Sequence, residues 1–195
     1  MNTSSSSDLD SLVEFVTNLI IQQDYPGFEP RSFRIGLTEE LLKSSSRLFA
    51  DALVHENVYV RLVALRWFQE KPGAIKPYIN SILALLGNSD EWVRMEATIT
   101  LERYQHPGPA IATAVSELLE DQYPLVRREA AKALGKMLAK FKENSNSKDA
   151  AKNAARDLHL EPIVESLKNA LRDDQDPQVR QKAEKALRKS GAYAG

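Results

Sequence analysis

Histidine is the side chain best suited to move protons at neutral pH, and the chain has three, His55, His106 and His159. Each falls near a predicted helix end or loop, and no two have a metal-ligand spacing such as i, i+4. Solvent-exposed imidazoles are the expectation. Carboxylates cluster at Asp173, Asp174 and Asp176. Acid–base work by such a group needs a pocket that separates the pKa values of its members; a solvated turn between helices explains these three better. The chain has no cysteine, which removes disulfides, Cys-ligated zinc, iron–sulfur clusters and a thiolate nucleophile. Its eight glycines are scattered and form no phosphate-cradling loop, and no G-x-S-x-G elbow occurs. These residues point to holding a partner rather than to catalysis, with no catalytic residue, cofactor or metal site.

The elements that position these residues repeat. Val60, Val93 and Val126 are spaced 33 residues apart, and each precedes an arginine: Arg61, Arg94 and Arg127. A fourth copy, Val179-Arg180, follows 53 residues after the third, one period plus 20. Four residues after each valine stands Ala64, Ala97, Ala130 or Ala183. Eight residues after it stands Phe68, Leu101, Leu134 or Leu187. These offsets share one helical face, so each segment predicts a core-facing helix B, with the alanine admitting a close neighbour. Asn57, Asp90 and Asp176 stand three residues before the valine, where an N-cap belongs. Tyr123 is a poor cap in the third copy, and Asp121 lies close enough to help. Apolar segments before each copy, Leu41–Val54, Ile75–Leu86, Ala110–Leu119 and Leu160–Leu171, predict a helix A. Breaks at Lys71-Pro72-Gly73 and His106-Pro107-Gly108-Pro109 separate the pairs. One pair cannot bury its own apolar face, so pairs must stack.

The pattern D-x-x-V-R-x-x-A-x-x-A-L, complete from Asp176 to Leu187, resembles the HEAT-like repeat family, including the variety found in phycobilin lyases. The resemblance covers residues 38–190. It implies an all-α fold, a HEAT-like α-solenoid of about four stacked antiparallel helix pairs behind an N-terminal capping helix. It also implies that the arginine after each valine pairs with an acidic side chain of an adjacent repeat. Its motif residues are structural, so it specifies a fold and not a reaction.

Residues 1–37 read as a polar tail, a capping helix and an aromatic-rich loop. The helix runs from Asp8 to Gln23, with Leu9, Leu12, Phe15, Val16, Leu19 and Ile20 on one side. The repeats divide into 38–70, 71–105, 106–140 and 158–190, with an insertion at about 140–157 and a tail at 191–195. Within the insertion, Glu143 to Ser147 predicts a mobile loop. The N-terminus lacks a basic n-region, and the longest apolar run, Leu19 to Ile21, cannot cross a bilayer. A cytoplasmic protein is expected. Twenty-six basic side chains against 27 acidic ones leave no basic excess, which argues against a HEAT-like DNA-binding protein.

On a helical wheel, offsets +2, +6 and +9 from each valine oppose the core. This row is Leu62, Arg66 and Gln69; then Met95, Ile99 and Glu102; then Arg128, Lys132 and Gly135; then Gln181, Lys185 and Arg188. Offset −1 adds Tyr59, Trp92 and Leu125. The resemblance implies that this side lines a concave surface. The expected partner-binding set is therefore Tyr59, Leu62, Arg66, Trp92, Met95, Ile99, Leu125, Arg128, Lys132, Lys185 and Arg188. Apolar residues early and basic ones late suit a protein partner with an apolar patch and an acidic flank. A second expectation, from the resemblance alone, is a phycobilin lyase-like subunit handling a bilin chromophore or a phycobiliprotein.

Overall fold

In a computed structural model the described residues are 3–22, 37–143 and 150–192, with side chains described over 7–18, 37–141 and 160–192. The aromatic loop expected at 24–36, residues 144–149 of the insertion and the side chains of Leu19, Ile20 and His159 lie outside them.

Valine, alanine and a large apolar residue at offsets 0, +4 and +8 demand burial along one helical stripe, and all twelve are fully buried. They belong to α4 (Val58–Glu70), α6 (Glu91–Arg103), α8 (Pro124–Glu143) and α10 (Pro177–Ser190). Helices α1 (Thr3–Gln22), α2 (Glu39–Lys43), α3 (Ser46–Ala52), α5 (Ile79–Ala84), α7 (Pro109–Glu117) and α9 (Ala150–Asp173) complete the set. No strand occurs among the described residues.

The A segments are less regular than their apolar patterns suggest. The first is broken between α2 and α3, because the Ser45 hydroxyl accepts from the N–H of Leu48 and starts a new helix. The second opens with 3-10 turns at Pro72–Ala74 and Lys76–Tyr78, since Pro77 has no N–H to continue an α-helical ladder. The extra residues before the fourth repeat lengthen its neighbours: α8 has 20 residues and α9 has 24, with Pro162 inside.

All four B helices begin from the same turn. A side chain five residues before the valine accepts the N–H two residues on: His55 Nδ1 from Asn57, Asn88 from Asp90, Asp121 from Tyr123, Asp174 from Asp176. This explains how the third repeat manages with Tyr123. Asp121 fills the upstream position shared by all four copies, while Asn57, Asp90 and Asp176 also cap their helices. The motif arginine then closes the turn. Arg61 Nη1 donates to the carbonyls of His55 and Glu56 at 2.6 and 2.9 Å. Arg94, Arg127 and Arg180 make the equivalent pairs with Asn88 and Ser89, Asp121 and Gln122, and Asp174 and Gln175. A tight turn leaves carbonyls without ladder partners, and a guanidinium supplies several donors at fixed angles. The repeated arginine therefore closes the turn of its own repeat in all four copies; the family resemblance had implied a pair with an acidic side chain of an adjacent repeat. Arg127 does both, adding a bidentate pair to Asp174 of the next repeat.

The chain divides into two units, Met1–Glu96 and Ala97–Gly195. In the first, α1 packs on α3 and α4 through buried Leu12 and Val16, as a capping helix should. Trp67 stacks on Phe49 with ring centroids 4.7 Å apart, and its indole N–H donates to the Leu41 carbonyl at 2.9 Å. The aromatic body is thus buried and its polar edge satisfied. In the second unit, α8, α9 and α10 pack together, with α7 on α8 and α9. Gly135 lies against Ala186 so closely that a Cβ would sit 2.9 Å from the Ala186 Cα. Glycine is required there by proximity between helices.

Candidate interaction surface

On the side of the B helices opposite the valines, four of the six positions in the first two copies are buried, whereas Gln181, Lys185 and Arg188 of the fourth are exposed. Leu62 and Met95, expected in water, are each only 8% exposed. At offset +9, Gln69 and Glu102 are also buried. A two-sided wheel treats each B helix as packed along one stripe, yet α4 meets α1, α2 and α3 and buries eight of its 13 residues. A helix buried nearly all round has no free apolar back. Leu62 and Met95 therefore leave the set of surface anchors.

The remaining members divide by chemistry. In the first unit Tyr59 and Trp92 are half-buried, at the same offset of successive repeats. Arg66 is half-buried and occupied: Nη1 donates to Gln69 Oε1 at 3.1 Å and lies 3.7 Å from Glu96 Oε2. Gln69 Nε2 in turn donates to Glu96 Oε2 at 2.6 Å. In the second unit Ile99, Leu125, Arg128 and Lys132 are half-buried, while Lys185 and Arg188 are exposed. Arg128 donates to Gln178, and Arg188 pairs with Glu184.

Glu102 organises one polar cluster of this second unit. Its carboxylate pairs with Lys136, and its Oε2 lies 3.9 Å from the Lys132 ammonium. That oxygen is buried and accepts no hydrogen bond, because 3.9 Å gives charge attraction without hydrogen-bond geometry. Lys132 also pairs with Glu129 at 2.6 Å, and Lys140 caps the end of α6 by donating to the carbonyls of Glu102 and Tyr104.

Sequence reasoning passed over a cleft between α8 and α10. It is lined by Lys132, Lys136, Lys182, Lys185 and Lys189 over Ala131, Gly135 and Ala186. The signal was present: lysines at i, i+3 and i+7 of α10 fall on one stripe, and Gly135 interrupts an otherwise strong helix. The wheel kept only those lysines at offset +6.

The three-aspartate cluster is not a uniform solvated turn. Asp173 is exposed and pairs with Arg172. Asp176 caps α10. The Asp174 side chain is only 5% exposed and pairs with Arg127 at 2.7 Å beside a cavity of about 510 Å³. Burial alone would raise the Asp174 pKa, but the hydrogen bonds from Arg127 and from the Asp176 N–H, with the nearby guanidinium charges, hold it below the usual carboxylate range. Arg127 is correspondingly raised by its bond to Asp174. A carboxylate so engaged is a poor proton carrier and a good structural clamp. His55 is half-buried with Nδ1 in the turn of the first repeat, contrary to a freely solvated imidazole, whereas His106 is exposed. Among the described residues no group of three or more His, Asp or Glu could hold a metal ion, and no helix is long and apolar enough to cross a membrane.

Residues 46–135 match the family described as HEAT repeats. That description covers HEAT repeats in general and does not single out the phycobilin-lyase variety. No curated protein matches the chain. Among solved structures it is similar to an engineered protein with 18% identity and a TM-score of 0.42, covering 98% of this chain and 93% of that one. A second engineered protein has 19% identity and a TM-score of 0.42, with coverages of 99% and 95%. A third has 20% identity and the same TM-score, with coverages of 77% and 48%. The repeated helix pairs make this an all-α protein in the α-solenoid class of folds, and the match to HEAT repeats lies over its residues 46–135.

Proposed function

We propose that the chain is a non-catalytic scaffold or adaptor that holds a protein partner on the side of its B helices. Stacked helix pairs offer extended surfaces of this kind. The observation that carries the reading is the aromatic pair of the first unit. Tyr59 and Trp92 recur at one offset of adjacent repeats and are half-buried, so part of each side chain meets solvent. Large, rigid aromatics that are partly held in place make typical binding anchors. Basic side chains of the second unit suit acidic groups on the partner. The absence of cysteine suits a reducing, cytoplasmic setting.

Affinity capture with the full chain, followed by mass spectrometry, identifies the partner. Trp92→Ala should then weaken its binding at least about tenfold, since losing an anchor costs ~2 kcal/mol or more. The melting temperature should stay nearly unchanged, as expected for a partly exposed position. A sharp fall in melting temperature would assign Trp92 to the core and remove it as an anchor. Unchanged affinity would move the contact elsewhere.

A further inference from the structure

We propose that the cleft between α8 and α10 binds an acidic helical segment of a protein, whose carboxylates lie on one stripe at spacings of three and four residues. This rests on the reading of the chain as a protein-interaction scaffold and gives that reading a second, chemically defined site. Lys182, Lys185 and Lys189 stand at i, i+3 and i+7 on α10, and Lys132 and Lys136 at i and i+4 on α8. Both stripes line the same cleft, and its floor is Ala131, Gly135 and Ala186. The floor explains the geometry. With no Cβ on Gly135, the two helix backbones come into contact there, and the lysine stems rise as walls on either side.

Charge on the walls is not balanced. Glu102 and Glu129 answer Lys132 and Lys136. Lys182, Lys185 and Lys189 have no acidic partner among the described residues. Among the described residues, five ammonium groups against two carboxylates leave an excess of three. Glu184, beside this stripe, is committed to Arg188. Like charges three and four residues apart on one helix repel, so the fold gains nothing from the α10 stripe by itself. A ligand that brings carboxylates relieves the repulsion.

Spacing selects the ligand class. From Lys182 to Lys189 the stripe runs about 10.5 Å along the helix axis, at about 1.5 Å per residue. Carboxylates at i, i+3 and i+7 of a partner helix run the same distance, so three pairs form in register. A nucleic acid gains affinity by neutralising many phosphates in succession, and a stripe of three ammonium groups supplies few.

The test uses the full-length chain and three fluorescent probes. The first is an alanine-based peptide of about 15 residues, long enough to hold a helix, with Glu at i, i+3 and i+7. The second has the same composition with the Glu residues spread around the helix. The third is a single-stranded DNA oligomer. The striped peptide should bind at least about tenfold tighter than the spread one, and its affinity should fall as salt rises. Lys182→Glu/Lys185→Glu/Lys189→Glu should lower that affinity at least about tenfold while the circular dichroism spectrum stays helical. If charge reversal disturbs folding, Lys185→Ala/Lys189→Ala should still lower it about threefold or more. Failure of the striped peptide to bind, equal binding of the two peptides, or indifference to the lysine substitutions would overturn the proposal. Tighter binding of the DNA would replace it with a polyanion site. A captured partner that depends on Trp92 while the peptide fails would leave the scaffold reading standing and remove only the groove.

Discussion

Asp174→Ala should destabilise the protein by about 3–5 kcal/mol, because it leaves the Arg127 guanidinium largely buried without its counter-charge. Asp174 accepts from Arg127 Nε at 2.7 Å, from Arg127 Nη2 at 2.9 Å and from the Asp176 N–H at 2.8 Å. Its loss therefore unpairs a charge and also releases the turn that starts α10. The size of the effect reflects the cost of a stranded ion more than the net value of the pair. Asp174→Ala/Arg127→Met should accordingly cost less than the sum of its two single changes, as a double-mutant cycle in urea would show. Additive costs would mean that the two side chains do not act as a unit. The pH dependence has a definite sign. The folded-state pKa of Asp174 is lowered, so its stabilisation is fully present above the unfolded carboxylate value and is lost as pH falls through the depressed folded value. The stability gap between the wild type and Asp174→Ala should thus be constant near neutrality and shrink in acid below the ordinary carboxylate range.

Leu134→Ala should cost ~2–5 kcal/mol, combining lost transfer free energy with the cavity left behind. Leu134 is fully buried on α8, one residue before the contact between Gly135 and Ala186. That backbone contact keeps α8 and α10 from moving inward, so the cavity cannot collapse far. Leu101→Ala, at the same offset in α6 and also fully buried, should fall in the same range. Lys185→Ala on the exposed side of α10 should stay within ~0.5 kcal/mol. Urea midpoints with an unchanged slope measure these differences directly. A loss below ~1 kcal/mol at Leu134 would show that the assigned register is wrong.

The sequence by itself determined the period and phase of the fold. Val60, Val93, Val126 and Val179, with their +4 and +8 companions, define a stripe that only a packed helix can satisfy, and all of it is buried. The caps at Asn57, Asp90 and Asp176 were legible for the same reason: hydrogen bonding within a few residues depends on local sequence and little else. What lies on the other sides of those helices was decided only by tertiary structure. Leu62 is buried because α1, α2 and α3 pack on α4, and Met95 is buried too; no wheel drawn for one helix contains its neighbours. The motif arginines bond to turn carbonyls whose directions depend on how helix A meets helix B. Asp174 looked like one of three solvated acids, yet a guanidinium 47 positions away in the chain buries it and depresses its pKa. The lysine cleft follows the same rule. Each stripe is visible in its own helix, but only the approach of Gly135 to Ala186 places the two stripes across one floor. Periodicity reports what one helix must hide from water, whereas a binding surface depends on which second helix arrives and how closely the backbones can meet.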